Sequence, residues 1–324
     1  MPKRDRTQDQ LDALAAIADG TPTPEDLQRI RTALEGRNAI VCAKAAEMVA
    51  EGRIEDCLNL LVEAFDRFMT DPVKRDPGCR AKIALVNTLN ALESDDDTVF
   101  LRGIRHVQQE PVFGGRVDTA ANLRANCAVA LARADHPQLY FELARLLVDA
   151  ESHARSAAAR VLGDLVSDRS ALLLRMKALT GDAEPSVVGE CLLGLMRIAA
   201  DESVNFVAEF LDNPDIEVAE QAALALGEAR TLEAFRALQS SWQRHVDQTY
   251  RRMLALSLAL TRRDEAFDLL VDIVRDGHPR TAERVLEALR LFDDGGARRE
   301  VVREVVSGRG DADLDGVFAR LFPL

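Results

Sequence analysis

The fold is decided by residues 154–163, whose sequence is ARSAAARVLG, because close copies of this stretch recur along the chain. Residues 123–132 (LRANCAVALA) and 218–227 (VAEQAALALG) keep the same order of residue types. Each has an apolar residue, an anchor position, two small apolar residues three and four positions after the anchor, and then small, Leu, small. Small side chains at helical spacing let a neighbouring helix approach closely. The stretch therefore predicts a packed helix that the chain uses repeatedly.

The template recurs at eight anchor residues, separated by 40, 42, 31, 33, 31, 32 and 31 residues. A second amphipathic helix follows after a short turn, as in residues 139–147 and 267–274. A helical hairpin of this size cannot bury its apolar stripe alone, so stacked copies must share a core. The pattern predicts an all-α fold, an α-solenoid of helical hairpins. The anchors are Cys42, Lys82, Arg124, Arg155, Val188, Ala219, Arg251 and Ala282.

These residues resemble the short HEAT-like repeats of the phycobilisome-lyase type, whose first helix commonly reads V-R-x-x-A-A-x-A-L-G. The best matches are residues 154–163 and 218–227, and the pattern covers roughly residues 38–292. Val188 and Ala219 stand where that family usually has Arg, so we do not expect a continuous ladder of Asp–Arg pairs between repeats. The resemblance implies a bacterial HEAT-repeat protein. It leaves the function open, because such repeats serve as scaffolds, chromophore-lyase subunits and occasional enzymes.

The repeats are predicted to be closed by a helical cap at each end. Residues 1–37 form the N-terminal cap, with Thr23 as an N-cap residue and Pro24 at the first helical position. Residues 38–310 hold the eight repeats, and residues 311–324 form a C-terminal capping helix. Caps are expected because a solenoid otherwise exposes the apolar face of its last hairpin.

The first two intervals between anchors are about ten residues longer than the rest because of inserted loops at 70–79 and 110–119. Equivalent turns of a stacked repeat lie side by side, so the two insertions should adjoin. One interpretation is that they patch the edge of an irregular stack. The other is that they form a binding edge.

Composition restricts the class of protein. The 324 residues carry a formal net charge of −13, which argues against a surface adapted to nucleic acid or anionic lipid. Five cysteines without a CxxC pair suggest neither a disulfide framework nor a zinc site, and favour a reducing cytoplasm. We expect no export signal and no membrane-spanning helix, since no apolar run approaches ~20 residues. The excess of Arg over Lys, 36 against 5, is typical of a GC-rich bacterial genome.

The helix that precedes the second insertion is predicted to carry a polar stripe. Arg102, Arg105, His106 and Gln109 fall at i, i+3, i+4 and i+7, opposite an apolar stripe that ends at Val107. The second helices line the concave side of HEAT-type stacks, so this stripe should face the groove. It is either a solvated charged face or a site for an anion or carboxylate, because Arg binds these groups bidentately.

Further residues extend this candidate partner site. Phe113 and Arg116 in the second insertion are of the types that anchor interfaces. Arg145 lies on the next second helix, and Arg175 and Lys177 on the one after, so the basic character should continue. Acidic residues are concentrated elsewhere, since residues 201–228 hold eight Asp or Glu and no Lys or Arg. That acidic stretch either serves solubility or binds a basic partner.

The sequence lacks catalytic and metal-binding motifs. Enzymes similar to deoxyhypusine hydroxylase hold iron with His-Glu dyads, and none of the five histidines is followed by Glu. The HExxH, GxSxG, P-loop and GxGxxG contexts are missing as well. Cys127 and Cys191 occupy a buried template position, and only Cys79, in an inserted loop, is a candidate for reactivity. Trp242 has helical spacing to other apolar residues, so we expect it in the core and not stacked on a base.

The sequence therefore favours a non-enzymatic HEAT-repeat scaffold or adaptor. It would bind a protein partner through the concave surface and the edge insertions, without cofactor or metal. Nucleic acid is not the expected partner, because the net charge is negative. The alternative is a catalytic or cofactor-handling module, similar to a bilin lyase or a DNA glycosylase, centred on Arg102, Arg105 and His106.

Overall fold

Several helices begin at a residue whose side chain accepts hydrogen bonds from the free backbone N–H groups of the first turn. In the computed structural model, the hydroxyl of Thr23 accepts from the N–H of Asp26 at 3.3 Å, and Pro24 is the first residue of its helix. The predicted N-cap at Thr23 is confirmed. Asn38 and Asp247 cap their helices in the same way.

The chain divides into two units, Met1–Val161 (unit 1) and Leu162–Leu324 (unit 2), and the structure describes residues 6–17 and 23–323. Unit 1 contains α1 (Arg6–Ala15), α2 (Pro24–Glu35), α3 (Ala39–Glu51), α4 (Leu58–Met69), α5 (Pro72–Arg75), α6 (Arg80–Ala91), α7 (Thr98–Gly103), β1 (Gln109–Val112), β2 (Gly115–Asp118), α8 (Ala121–Arg133) and α9 (Leu139–Leu146). The helix α10 (Ser152–Asp164) spans the boundary. Unit 2 contains α11 (Asp168–Thr180), α12 (Pro185–Glu209), α13 (Ile216–Ala229), α14 (Leu232–Arg244), α15 (Gln248–Leu260), α16 (Asp264–Asp276), α17 (Pro279–Leu289), α18 (Ala297–Arg309) and α19 (Ala312–Leu321).

Helices that carry the template pack against one another within each unit. In unit 1, α6 contacts α3 and α8, and in unit 2, α15 contacts α13 and α17. The small residues of the template are fully buried, among them Ala158 and Ala159 of α10 and Ala222 and Ala223 of α13. A Cβ on Gly227 would lie 2.6 Å from the carbonyl oxygen of Ser257, so α13 and α15 approach closely only because this position is glycine. The predicted all-α solenoid class is confirmed.

The first helix of a repeat ends in a left-handed residue at a fixed distance from the anchor. Six non-glycine residues lie eleven positions after an anchor and have φ between 42° and 57°. In α12, Ala199 lies eleven residues after the anchor Val188 and breaks the helix with φ −155° and ψ 77°. Because α12 bends there, it comprises both helices of one repeat. The six left-handed residues are Arg53, Glu93, Asp135, Val166, Arg230 and Arg262.

The cationic anchors reach back to the residue six positions earlier, where the preceding turn leaves free acceptors. Arg251 donates from Nε to the carbonyl oxygen of His245 at 2.7 Å, and Arg155 donates to that of Asp149 at 2.9 Å. Lys82 and Arg124 instead donate to the carboxylates of Asp76 and Asp118. An apolar anchor cannot make this contact. At the anchor Ala282, for example, the carbonyl groups of the preceding turn accept instead from Arg309 of α18.

The terminal helices pack on the outermost repeats of their own units. The helices α1 and α2 contact α3, and α19 contacts α17 and α18. The predicted caps also include residues 1–5, 18–22 and 324, which lie outside the described residues. None of the described helices combines the length and the apolar character needed to cross a bilayer.

Candidate functional site

The two insertions meet in unit 1, as the spacing predicts. The first insertion contains α5 and a 3₁₀ turn at residues 77–79. The second is not a loop: β1 and β2 form an antiparallel hairpin in which Val112 pairs with Gly115. The backbone N–H of Gly78 donates to Glu110 Oε1 at 2.6 Å, and Gln108 Nε2 donates to the carbonyl oxygen of Asp76 at 2.9 Å. We refer to residues 109–118 as the hairpin.

Glu110 fastens the hairpin to the first insertion. Its Oε1 accepts from the backbone N–H of Gly78, from Gln108 Nε2 at 2.6 Å and from Thr119 Oγ1 at 2.7 Å. Burial acts to raise the pKa of Glu110, but these hydrogen bonds outweigh it and hold the pKa below its ordinary value of 4.5. The carboxylate is therefore ionised at neutral pH and bridges the two insertions.

A buried ion pair supports the first insertion from below. Lys82 Nζ lies 2.9 Å from Asp76 Oδ2, and both side chains are completely buried. The same carboxylate accepts from the backbone N–H groups of Ala81 at 2.9 Å and Lys82 at 3.1 Å. Cys79, the residue before α6, has φ 56° and makes no side-chain cap. Asp76 therefore takes the place of the missing N-cap of α6.

A second buried ion pair fixes the base of the hairpin. Arg124 donates from Nη1 to Asp118 Oδ2 at 2.8 Å and from Nη2 to Asp149 Oδ1 at 2.7 Å. Asp118 Oδ1 also accepts from the backbone N–H groups of Gln108 at 3.0 Å and Ala120 at 2.9 Å. Burial acts to raise the pKa of Asp118, but its hydrogen bonds hold the pKa below the ordinary 3.8. Both ends of the hairpin are thus held by one carboxylate.

The tip of the hairpin projects apolar side chains into solvent. Phe113 has a relative exposure of 109%, and Val112 and Val117 are 50% and 42% exposed. Gly114 has φ +88°, which closes the turn beside Phe113. Arg116 pairs with Pro111 in the register, is exposed, and makes no ion pair within the described residues. The hairpin therefore presents an aromatic residue and a free cation on a fixed base.

The predicted polar stripe is wrong as a helical face. The helix α7 ends at Gly103, where a Cβ would lie 2.4 Å from Cys127 Sγ. The chain then turns into β1, so Gln109 lies in a strand and Val107 is 56% exposed instead of facing the core. Periodicity could not reveal this, because Gln109 pairs with Asp118 across the hairpin, a contact that a helical pattern does not contain.

The stripe residues also have partners that the sequence did not predict. Arg102 forms an ion pair with Asp66. Arg105 forms one with Glu142, which is only 4% exposed. His106 is half-buried and its Nε2 lies 3.2 Å from Gln108 Oε1. Burial lowers the pKa of His106 below its ordinary 6.5, although the bond to Gln108 acts against it.

The remaining basic residues differ in their surroundings. Arg145 is exposed and has no ionic partner within the described part of the chain. Lys177 does not extend a basic surface, because it is buried and its Nζ lies 2.8 Å from Asp182 Oδ2. Arg175 lies over the ring of Phe206, with its guanidinium carbon 4.4 Å from the ring centre. Only Arg116 and Arg145 of the predicted cations remain available to a partner.

The cysteines are buried and form no disulfide among the described residues. The prediction that Cys127 and Cys191 are buried is confirmed, and burial raises the pKa of Cys191 to about 12. The prediction that Cys79 is a reactive candidate is wrong, since Cys79 is 0% exposed and burial raises its pKa to about 11. Within the described ranges, no group of three or more His, Cys, Asp or Glu side chains is placed to hold a metal ion. Trp242 is 8% exposed, as expected for a core residue.

Residues 172–259, which run from α11 to α15, match the family model of HEAT repeats. Over these residues the chain is similar to HEAT repeats, as the template predicted. No curated protein sequence matches the chain significantly.

Solved structures include distant likenesses. A chain in the complex of CpcE and CpcF of phycocyanin lyase from Nostoc is 16% identical to this protein. The match covers 90% of this chain and 96% of the lyase chain, with a TM-score of 0.36. An engineered protein is 17% identical over 99% of this chain and 95% of its own, with a TM-score of 0.38. Human deoxyhypusine hydroxylase in complex with glycerol is 14% identical; the match covers 92% of this chain and 96% of the hydroxylase, with a TM-score of 0.29.

Proposed function

We propose that this chain, as a protein built on HEAT repeats, is a non-enzymatic scaffold or adaptor that binds a protein partner through the hairpin of unit 1. Phe113 is the central contact residue of the proposed interface, and Arg116 and Arg145 are its cations. The predicted stripe residues Arg102 and Arg105 then have a structural role, because each already pairs with a carboxylate.

The exposure of Phe113 on a fixed base carries this proposal. An aromatic side chain that makes no internal contacts does not stabilise its own fold, whereas aromatic residues dominate binding at interfaces. The hairpin is held at its base by Asp118 and Glu110, so little conformational entropy is lost when a partner orders it. A partner with an apolar pocket and a carboxylate at its rim fits this surface.

The charge of the chain favours a protein partner over nucleic acid. A net charge of −13 repels phosphate, and the free cations of the hairpin region are few. The five buried thiols form no disulfide, which fits the reducing cytoplasm that we propose as the location.

The alternative function, a catalytic or cofactor-handling module at Arg102, Arg105 and His106, receives no specific support. Arg102 and Arg105 are neutralised by Asp66 and Glu142, and the ring of His106 is hydrogen-bonded to Gln108. Native mass spectrometry of the purified chain tests this alternative: a co-purifying small molecule would favour it, and the mass of the polypeptide alone would argue against it.

Photo-crosslinking at the hairpin tip tests the proposed scaffold function. Phe113 is replaced by benzoylphenylalanine in the full chain, the cells of the source organism are irradiated, and the crosslinked protein is identified and purified. Isothermal titration calorimetry then compares its binding to wild type and to Phe113→Ala. We expect the substitution to raise Kd about 30-fold, the effect of losing about 2 kcal/mol at an interface hot spot.

Ile40→Ala is the control, because Ile40 is an exposed apolar residue of unit 1, at 45% exposure, and lies on α3. It should change Kd less than about twofold, as expected for a residue outside the interface. Arg116→Glu and Arg145→Glu test the charge. Arg105→Glu would not be a test of the charge, because it places a second carboxylate against the buried Glu142. A partner that binds Phe113→Ala as tightly as wild type refutes the assignment of the interface.

A further inference from the structure

An apolar stripe of unit 2 faces solvent on α11. Leu172, Met176 and Leu179 fall at i, i+4 and i+7 and are 71%, 52% and 67% exposed. The opposite face of the same helix is buried through Leu174 and Ala178. The helix therefore has two apolar faces, and only one of them is used inside the fold. Large apolar side chains in a continuous exposed row are typical of an interaction surface.

The helix beside this stripe carries unpaired acids. Arg175 of α11 lies over Phe206, so the second half of α12, after the break at Ala199, packs against α11. Glu202 and Glu209 lie four residues before and three residues after Phe206, so they flank it on the same side of that helix. Both are exposed, and neither forms an ion pair within the described residues.

The nearby cations of α11 are already engaged. Arg175 is held over the ring of Phe206, and Lys177 is buried against Asp182 at 2.8 Å. Arg175 keeps its positive charge over the ring, but the two unpaired carboxylates of Glu202 and Glu209 outnumber it, so the charge beside the stripe is negative. This charge selects the occupant, because electrostatic complementarity across an interface suppresses partners of like charge.

We propose that the stripe of Leu172, Met176 and Leu179 binds an amphipathic helix of a partner protein that carries Lys or Arg toward Glu202 and Glu209. The stripe spans seven residues, about 10 Å of helix, so a partner helix of two to three turns covers it. Its apolar residues would recur at i, i+3 or i+4, and i+7, the helix-in-groove mode of recognition. This surface lies in unit 2 and is separate from the hairpin.

The same charge argues against two other occupants. A second copy of this chain, related by a twofold axis that crosses α11 at right angles, would bring Glu202 and Glu209 of one protomer toward the same acids of the other. An anionic membrane surface would be repelled by these carboxylates as well. Both occupants are outcomes of the test below.

The probe is a fluorescein-labelled peptide of 14 residues made of Leu and Lys, with Leu at helical spacing on one face. Fluorescence anisotropy measures its binding to the full chain, to Leu172→Ser/Leu179→Ser and to Glu202→Lys/Glu209→Lys. We expect saturable binding to wild type that weakens at least about tenfold in each double variant and at high salt. A second peptide with every Lys replaced by Glu should bind wild type at least about tenfold more weakly and bind the Lys variant more tightly.

Val246→Ser is the matched control, because Val246 is an exposed apolar residue of unit 2 that lies outside the stripe, at 74% exposure. It should leave the affinity unchanged. All substituted residues are exposed, so circular dichroism should show wild-type helicity and melting. Equal affinity of wild type and Leu172→Ser/Leu179→Ser overturns the proposal. So does a wild-type dimer in sedimentation that this variant abolishes, or binding of wild type to vesicles of phosphatidylcholine and phosphatidylglycerol.

Discussion

Replacement of Lys82 by Met should destabilise unit 1 by about 3 kcal/mol. Lys82 and Asp76 are both 0% exposed, and the substitution leaves the carboxylate buried without a counter-charge. Removal of one partner from a buried ion pair costs about 3–5 kcal/mol. The lower end applies here, because Asp76 keeps its hydrogen bonds from the backbone N–H groups of Ala81 and Lys82.

Urea denaturation followed by circular dichroism measures the change in the free energy of unfolding. The melting temperature should fall by about 6–12 °C for a unit of this size. Asp76→Asn combined with Lys82→Met removes both charges and should recover at least about 1 kcal/mol relative to the single variant. Lys44→Met is the matched control: Lys44 pairs with Glu47 at the surface, so it should change stability by less than about 0.5 kcal/mol. A Lys82→Met variant as stable as wild type would refute the ion-pair argument.

Three further predictions concern the corners, the helix packing and pH. Val166→Gly should raise the free energy of unfolding by about 1 kcal/mol, because a β-branched residue with φ 42° is strained; a lower urea midpoint would contradict this. Gly227→Ala should lower the free energy of unfolding by about 1–3 kcal/mol, because the new Cβ would collide with the carbonyl oxygen of Ser257. Gly308→Ala should not lower the free energy of unfolding, because a Cβ there would have no atom within 4 Å. Burial lowers the pKa of His106 below 6.5, so the stability that the neutral ring contributes is present above pH 6.5 and is lost as pH falls through the pKa of the folded state. In a series of urea denaturations at decreasing pH, the midpoint of His106→Gln should lack this loss.

The candidate site was only partly predictable. Anchor spacing was sufficient to place the two insertions side by side, because repeats of equal geometry bring equivalent turns together. It did not reveal that Asp76 and Glu110 join them, since these contacts link residues 32 positions apart through backbone groups. The helical stripe failed for the same reason: Arg105 and Gln109 have helical spacing in the sequence, but Gln109 pairs with Asp118 in the hairpin.

The left-handed corners show a related limit. Sequence patterns associate this conformation with glycine, yet Arg53, Asp135 and Val166 adopt it without glycine. The stacked helices on either side fix the path of the chain, so the residue at the corner accepts the conformation that the path requires.

The order of apolar and small residues alone determined the fold class and the positions of its repeats, because a stripe that must be buried every 31–33 residues has few solutions other than stacked helices. Tertiary structure decided which polar groups remain for partners. Lys82, Arg105 and Lys177 are cations in the sequence, as Arg116 and Arg145 are, but buried carboxylates neutralise the first three. Pairing depends on distance in space, and a one-dimensional pattern does not contain that distance.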